Sequence, residues 1–199
     1  MNNGVLNNKK KGEYKNVLTA TNNDSLKLDN IVLLDSDGDF FEVEFSVPSL
    51  TVGVLPAVLS NQSGHQMSVD GNNGVLFFSG GGLSTWNTGL FPLIGGSKNT
   101  ARGEFFFDGT YISLRFTLNG QTAIRTNYFK FDFQYCFFRT RSYDGTIFNL
   151  KYNSINVDLN EANGSFFYDQ NENKIGERET IHADKKNYIN NEIIKRVPW

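Results

Sequence analysis

Three carboxylates stand at alternate positions in Asp35-Ser36-Asp37-Gly38-Asp39, a spacing at which hard oxygen ligands gather around calcium. Read as the start of an EF-hand loop, the segment fails. Its glycine comes two positions too early, and Ser46 stands where the bidentate glutamate belongs. Two readings stay open: a looser calcium site on Asp35, Asp37 and Asp39, or a polar turn that Asp and Gly favour on their own. The later run Asp169-Gln170-Asn171-Glu172-Asn173 is expected to be a hairpin loop.

Glu42 and Glu44 share a face of one alternating segment. A retaining glycosidase needs two carboxylates about 5–5.5 Å apart across the scissile bond. Here the adjoining same-face positions are Phe40 and Ser46, so no third acid joins the pair. Alternating charge on the wet side of a sheet explains the glutamates without catalysis. His65 and His182 are the only histidines, and neither has metal-ligand spacing to Cys, Asp or Glu. Ser60, Ser63 and Ser79 lack the surroundings of a nucleophile elbow. Gly80-Gly81-Gly82 is not followed by the Lys-Ser/Thr of a phosphate loop. Cys136 reads as an inert core thiol. No catalytic residue and no required cofactor is expected; calcium is the one ion with a candidate site.

Recognition chemistry is better represented. Sugar binding uses an aromatic plate for the ring face and polar side chains for its hydroxyls. Trp86 and Asn87, with Ser84, Thr85 and Thr88, have that make-up in a stretch expected to be a long Gly-rich loop. Arg139, Arg141, Tyr143 and Asp144 form a second polar-aromatic group at a strand end. The competing readings are a loop anchor for Trp86 and a solvated sheet face for the arginines.

The elements that would carry these residues are strands. Phe41, Val43, Phe45 and Val47 alternate with polar residues, as do Ile112, Leu114, Phe116 and Leu118. Phe129, Phe131, Phe133, Tyr135 and Phe137 form an aromatic stripe, and Phe148, Leu150 and Tyr152 are expected to share a face. Asp108-Gly109, Asn119-Gly120 and Asp144-Gly145 are hairpin turns. Strands are expected from Ile31 onward. The core is expected to include Phe41, Phe45, Ile112, Leu114, Phe116, Phe131, Phe133, Phe148 and Leu150.

The 199 residues include 25 Asn, 19 Gly and 18 Phe, a supply of turn formers and strand formers that suits an all-β fold. A net charge of −2 gives no basic surface for nucleic acid. A single cysteine excludes an internal disulfide framework. No apolar run reaches the ~18–20 residues of a membrane span, so membrane insertion is not expected. Met1 to Lys15 is polar, so no secretion signal is expected.

The segment from Gly145 to Gly176 is more specific. Gly145-Thr146-Ile147-Phe148-Asn149-Leu150-Lys151 is followed by Asp158-Leu159-Asn160-Glu161-Ala162-Asn163-Gly164, then Phe166-Phe167-Tyr168 and Lys174-Ile175-Gly176. This pattern resembles the last strands of concanavalin A-like, laminin-G-type jelly rolls of phage tail-fibre and other virion proteins. The resemblance implies a two-sheet antiparallel jelly-roll sandwich over residues 26–185. It would follow a polar N-terminal arm, residues 1–25, and precede a tail, residues 186–199, with one helical turn near Asn190 to Lys195. It also implies a non-enzymatic, lectin-like virion surface protein, assembled in the host cytoplasm as a homo-oligomer. Such a protein would contact other virion subunits through its arm, and cell-surface glycans through its loops. The alternatives are a purely structural capsid or tail-assembly protein and a glucanase-type hydrolase.

Overall fold

The structure is a computed structural model, and it describes residues 18–20, 24–47, 57–79, 84–127, 130–138, 145–159 and 166–180. Every element among these is a strand. They are β1 (Leu18–Ala20), β2 (Asp24–Leu34), β3 (Phe40–Ser46), β4 (Ala57–Ser60) and β5 (Gln66–Asp70). Next come β6 (Gly74–Ser79), β7 (Ser84–Asn87), β8 (Lys98–Phe107), β9 (Ile112–Leu118) and β10 (Gln121–Arg125). The last are β11 (Phe131–Phe138), β12 (Gly145–Tyr152), β13 (Ile155–Asp158), β14 (Phe166–Asp169) and β15 (Lys174–Thr180).

The strands form one antiparallel ladder in the order β10-β9-β8-β3-β12-β13-β14-β15-β2-β11-β4-β5-β6-β7, nearly closed into a barrel. The two expected sheets are joined, because β13 pairs with β12 on one side and β14 on the other. The ladder curls so that its two ends face each other across an aromatic centre. Phe77 of β6 meets Phe116 of β9 edge-to-face at 5.0 Å and Phe131 of β11 at 5.5 Å, and Phe41 of β3 lies 6.4 Å away. Each such pair adds about 0.5–1.5 kcal/mol beyond the burial of its area.

The alternation of β3 and β9 gives the burial it implies. Phe41, Val43, Phe45, Leu114 and Phe116 are fully buried, as are Phe131, Phe133 and Leu150. Two expected core residues differ. Ile112, at the start of β9, is half-buried. Phe148 is half-buried because the β12–β3 register shifts between Ile147 and Asn149. Ile147 therefore takes the buried position on one side of the shift and Leu150 on the other. A single extra residue flips every side chain beyond it, which is how a bulge defeats a period-two reading.

The first strands also start earlier than Ile31. β2 begins at Asp24, with Leu26 and Leu28 inward and Lys27 and Asp29 alternating with them on the other face. Leu18–Ala20, within the stretch expected to be an arm, pairs with β12 through Leu18 opposite Ile147. Asp24 and Ser25 of the expected arm belong to β2, and its residues 1–17 and 21–23, like the tail from residue 186 and its helical turn, lie outside the described residues.

Candidate functional site

Trp86 sits on β7 rather than in a long loop. Its neighbour across the ladder is Phe77, on which its ring stacks at 5.5 Å and 24°. With 8 % of its surface exposed, Trp86 has no ring face to offer a sugar. Asn87 is exposed, but its Oδ1 accepts the Gly89 N–H at 2.8 Å and shapes the turn that leaves the strand. Arg139, Arg141, Tyr143 and Asp144 lie outside the described residues.

Asp35, Asp37 and Asp39 act as turn acceptors. Asp39 Oδ2 takes the backbone N–H groups of Asp35 (3.1 Å) and Ser36 (2.9 Å), and its Oδ1 takes the Asn153 amide at 3.0 Å. Asp37 Oδ1 takes the Phe107 N–H at 2.8 Å, tying the turn to the end of β8. Among the described residues, no three His, Cys, Asp or Glu side chains converge as metal ligands would.

Glu42 and Glu44 point into a cross-strand network of cations. Lys98 Nζ lies 3.0 Å from Glu44. Arg102 reaches Glu42 at 3.2 Å and Glu104 at 2.9 Å, and its guanidinium covers the Phe40 ring at 4.4 Å. Arg115 and Lys151 extend the row to Glu104 and Glu42 at 3.6 and 3.8 Å. The register explains the row, since Glu42 stands opposite both Arg102 and Lys151, and Glu104 opposite Arg115. Directly opposed unlike charges contribute a few tenths of a kcal/mol to about 1 kcal/mol each. A hydrolase would need these two carboxylates facing a sugar; here both carry ion pairs on the wet face.

A cluster that spacing did not reveal joins residues 67 positions apart. His65 Nδ1 lies 2.5 Å from Asp132 Oδ1, and the same oxygen accepts the Asn61 amide at 2.6 Å. Asn61 Oδ1 closes the ring by accepting the His65 N–H at 2.9 Å. The Asp132 backbone N–H also points at Nδ1, at 3.3 Å, so the ring is held by the backbone of β11 as well as by the carboxylate. Burial holds the imidazole below its ordinary value, Asp132 pulls it back up, and Lys130 adds to the depression. Ser60 Oγ, buried on the strand entering this turn, has no hydrogen-bond partner among the described residues. What the cluster does is fasten the β4–β5 turn to β11. No local motif announces it, because the pairing arises from long-range register.

The feature best fitted to meet another molecule is the segment between β7 and β8. Phe91, Leu93 and Ile94 are about half exposed, at 52, 54 and 49 %. Their backbone is held from beneath by Asn99, which is fully buried. Asn99 Oδ1 accepts the Leu93 N–H at 2.6 Å, and its Nδ2 donates to Leu93 O at 2.9 Å and Ser97 O at 3.3 Å. Asn119 adds a further hydrogen bond to Asn99 Oδ1 at 2.8 Å. A Val47–Ile94 bridge and the Val75 N–H to Leu90 carbonyl bond, 2.8 Å, tie the segment at both ends. The sequence signal available was Phe-Pro-Leu-Ile, an apolar run without alternation between Gly-containing turns.

No protein-family model matches the chain, and no curated protein matches it.

Proposed function

We propose that this chain is a non-enzymatic structural module of a virus particle, a surface component of a tailed phage that works by contact with another protein subunit. The observation that carries the reading is the clamped apolar segment. Three large apolar side chains held half-exposed on a pre-ordered backbone lose little conformational freedom on association. Contiguous exposed apolar surface is a usual mark of protein contact. The virion setting rests on the resemblance of Gly145 to Gly164 to concanavalin A-like virion jelly rolls. On this reading the curled ladder is a jelly roll whose two faces meet at Phe77. The subunit contacted is a second copy of the chain or another particle protein. Purely structural contact is favoured over glycan attachment because the Trp86 ring is buried against Phe77.

The test is the full chain carrying Phe91→Ser and Leu93→Ser. Both sites are exposed, so the thermal melt is expected to stay put while retention of the chain in purified particles falls. Particles that lack the unaltered protein would overturn the virion setting. Polysaccharide turnover abolished by Glu42→Gln would overturn the non-enzymatic reading.

A further inference from the structure

β2 is flanked on both edges over only part of its length. Its register with β15 runs from Asp24 opposite Thr180 to Leu28 opposite Gly176. Its register with β11 jumps from Lys27 opposite Tyr135 to Val32 opposite Phe133. The register shifts between these pairs, and Gln134 Nε2 donates to the Leu28 carbonyl there at 3.0 Å. Beyond the shift, Val32, Leu33 and Leu34 pair with β11 alone. No described strand lies on the other edge of Ile31 to Leu34, and no backbone bond outside the ladders reaches it among the described residues. In an antiparallel strand, alternate residues direct their N–H and C=O groups to opposite edges. This edge therefore presents ladder groups with no described partner.

A cleft of about 460 Å³ opens alongside this edge. Its far wall is the β12–β13 turn, Tyr152 to Ile155, and Lys174 and Ile175 close one end. That wall is fixed in place. Asn153 Oδ1 accepts the Phe40 N–H at 2.9 Å. Gln170 accepts the Asn156 N–H at 2.8 Å and donates to Ser154 O at 2.9 Å, locking two turns together. The lining is half aliphatic and half polar, with Asp29, Asn30, Asn153, Ser154 and Lys174 on the polar side. Ile31 and Leu33 are 55 and 46 % exposed, while Ile155, Ile175 and the Tyr152 ring pack against the core below. At the closed end Lys174 and Asp29 neutralise each other at 3.2 Å.

We propose that this cleft is a strand-accepting site, which takes an extended aliphatic peptide segment of a partner protein by adding it to the edge of β2 that has no described partner. A strand edge recognises backbone, so the occupant must be extended. The β12–β13 turn across the cleft from this edge favours one added strand over a broad folded face. The four residues from Ile31 to Leu34 span about 13 Å at the usual rise. The exposed Ile31 and Leu33 favour β-branched or aliphatic neighbours on the outer face, and the paired Lys174 and Asp29 leave no net charge for a strongly charged segment. The site uses none of the residues of the Phe91 segment, so either can stand without the other.

The test is titration of the full chain with a short capped peptide of alternating Val and Thr, followed by amide exchange. Binding is expected to slow exchange across Ile31 to Leu34. The same peptide N-methylated on alternate amides keeps its side chains but loses its donors, and it is expected to bind about tenfold more weakly. Ile31→Lys with Leu33→Lys, at exposed positions where edge lysines discourage pairing, is expected to weaken the unmethylated peptide to a similar degree. Equal binding of both peptides would overturn strand addition in favour of simple apolar contact. Absence of binding at millimolar peptide would overturn it as well. So would strong protection of Ile31 to Leu34 in the chain alone, which would mean that the edge is already filled.

Discussion

His65 shows how far a residue's chemistry depends on partners that only folding supplies. Its imidazole is held below its ordinary value chiefly by burial. An unfolded histidine titrates near 6.5. Between that value and the folded one, the unfolded chain binds the extra proton, so stability rises with pH. The contribution is complete above about 6.5 and is lost as pH falls through the window below it. Denaturant unfolding at steps from pH 7 to 5 is expected to show this loss, and His65→Gln to flatten the slope in that window. An unchanged slope in the variant would show that the ring does not titrate as described. The carboxylates of Asp70, Asp108 and Asp169, pulled below their usual range mainly by hydrogen bonds in their turns, act at lower pH and do not confuse the reading. Trp86 teaches the same lesson in reverse. Its neighbours in sequence are those of a binding loop, but its neighbour in the ladder is Phe77, and that decides its role.

At the scale of the element, what could be read was local and what could not was register. The Asn119-Gly120 hairpin holds, with φ of 51° and 83° at the two central residues, the left-handed values that its turn type demands. β9 spans Ile112–Leu118, the residues whose alternation marked it, because the Asp108-Gly109 and Asn119-Gly120 turns bracket it. The bulge at Phe148 and the start of β2 at Asp24 were hidden, since neither leaves a mark in composition. Gly103 is another hidden determinant. It stands opposite Phe41 in the β3–β8 register, and a Cβ there would collide with the Phe41 ring. That ring is fully buried, with Phe77, Phe116 and Phe131 around it. Gly103→Ala is therefore expected to cost about 1–3 kcal/mol by overpacking, measured by chemical denaturation. Adding Phe41→Leu should make the alanine substitution less costly than it is alone. If the two changes simply add, the collision is not the cause.

Among the described residues, the ends of the ladder meet through side chains and no strand pairing joins them. β10 and β7 terminate the described ladder, and Phe77 is the ring at which aromatic contacts bring the two ends together. That ring touches Phe116 near one end, Trp86 at the other, and Phe41 and Phe131 between them. An all-β chain was evident from its hairpins and stripes, but the closure was not, because it depends on β13 pairing in two directions. Phe77→Ala is expected to cost about 3–5 kcal/mol as a large-to-small core change. Phe167 of β14 is as deeply buried but lies in the middle of the ladder. Phe167→Ala should cost a similar amount, so stability alone does not separate a hub from an ordinary core residue. Amide exchange does. Losing Phe77 releases the grip of each end on the other, so exchange should quicken together in β9–β10 and in β6–β7. Losing Phe167 should quicken it first in β14 and β15. If Phe77→Ala loosens only β6 and its immediate partners, the ends are held by something other than this aromatic centre.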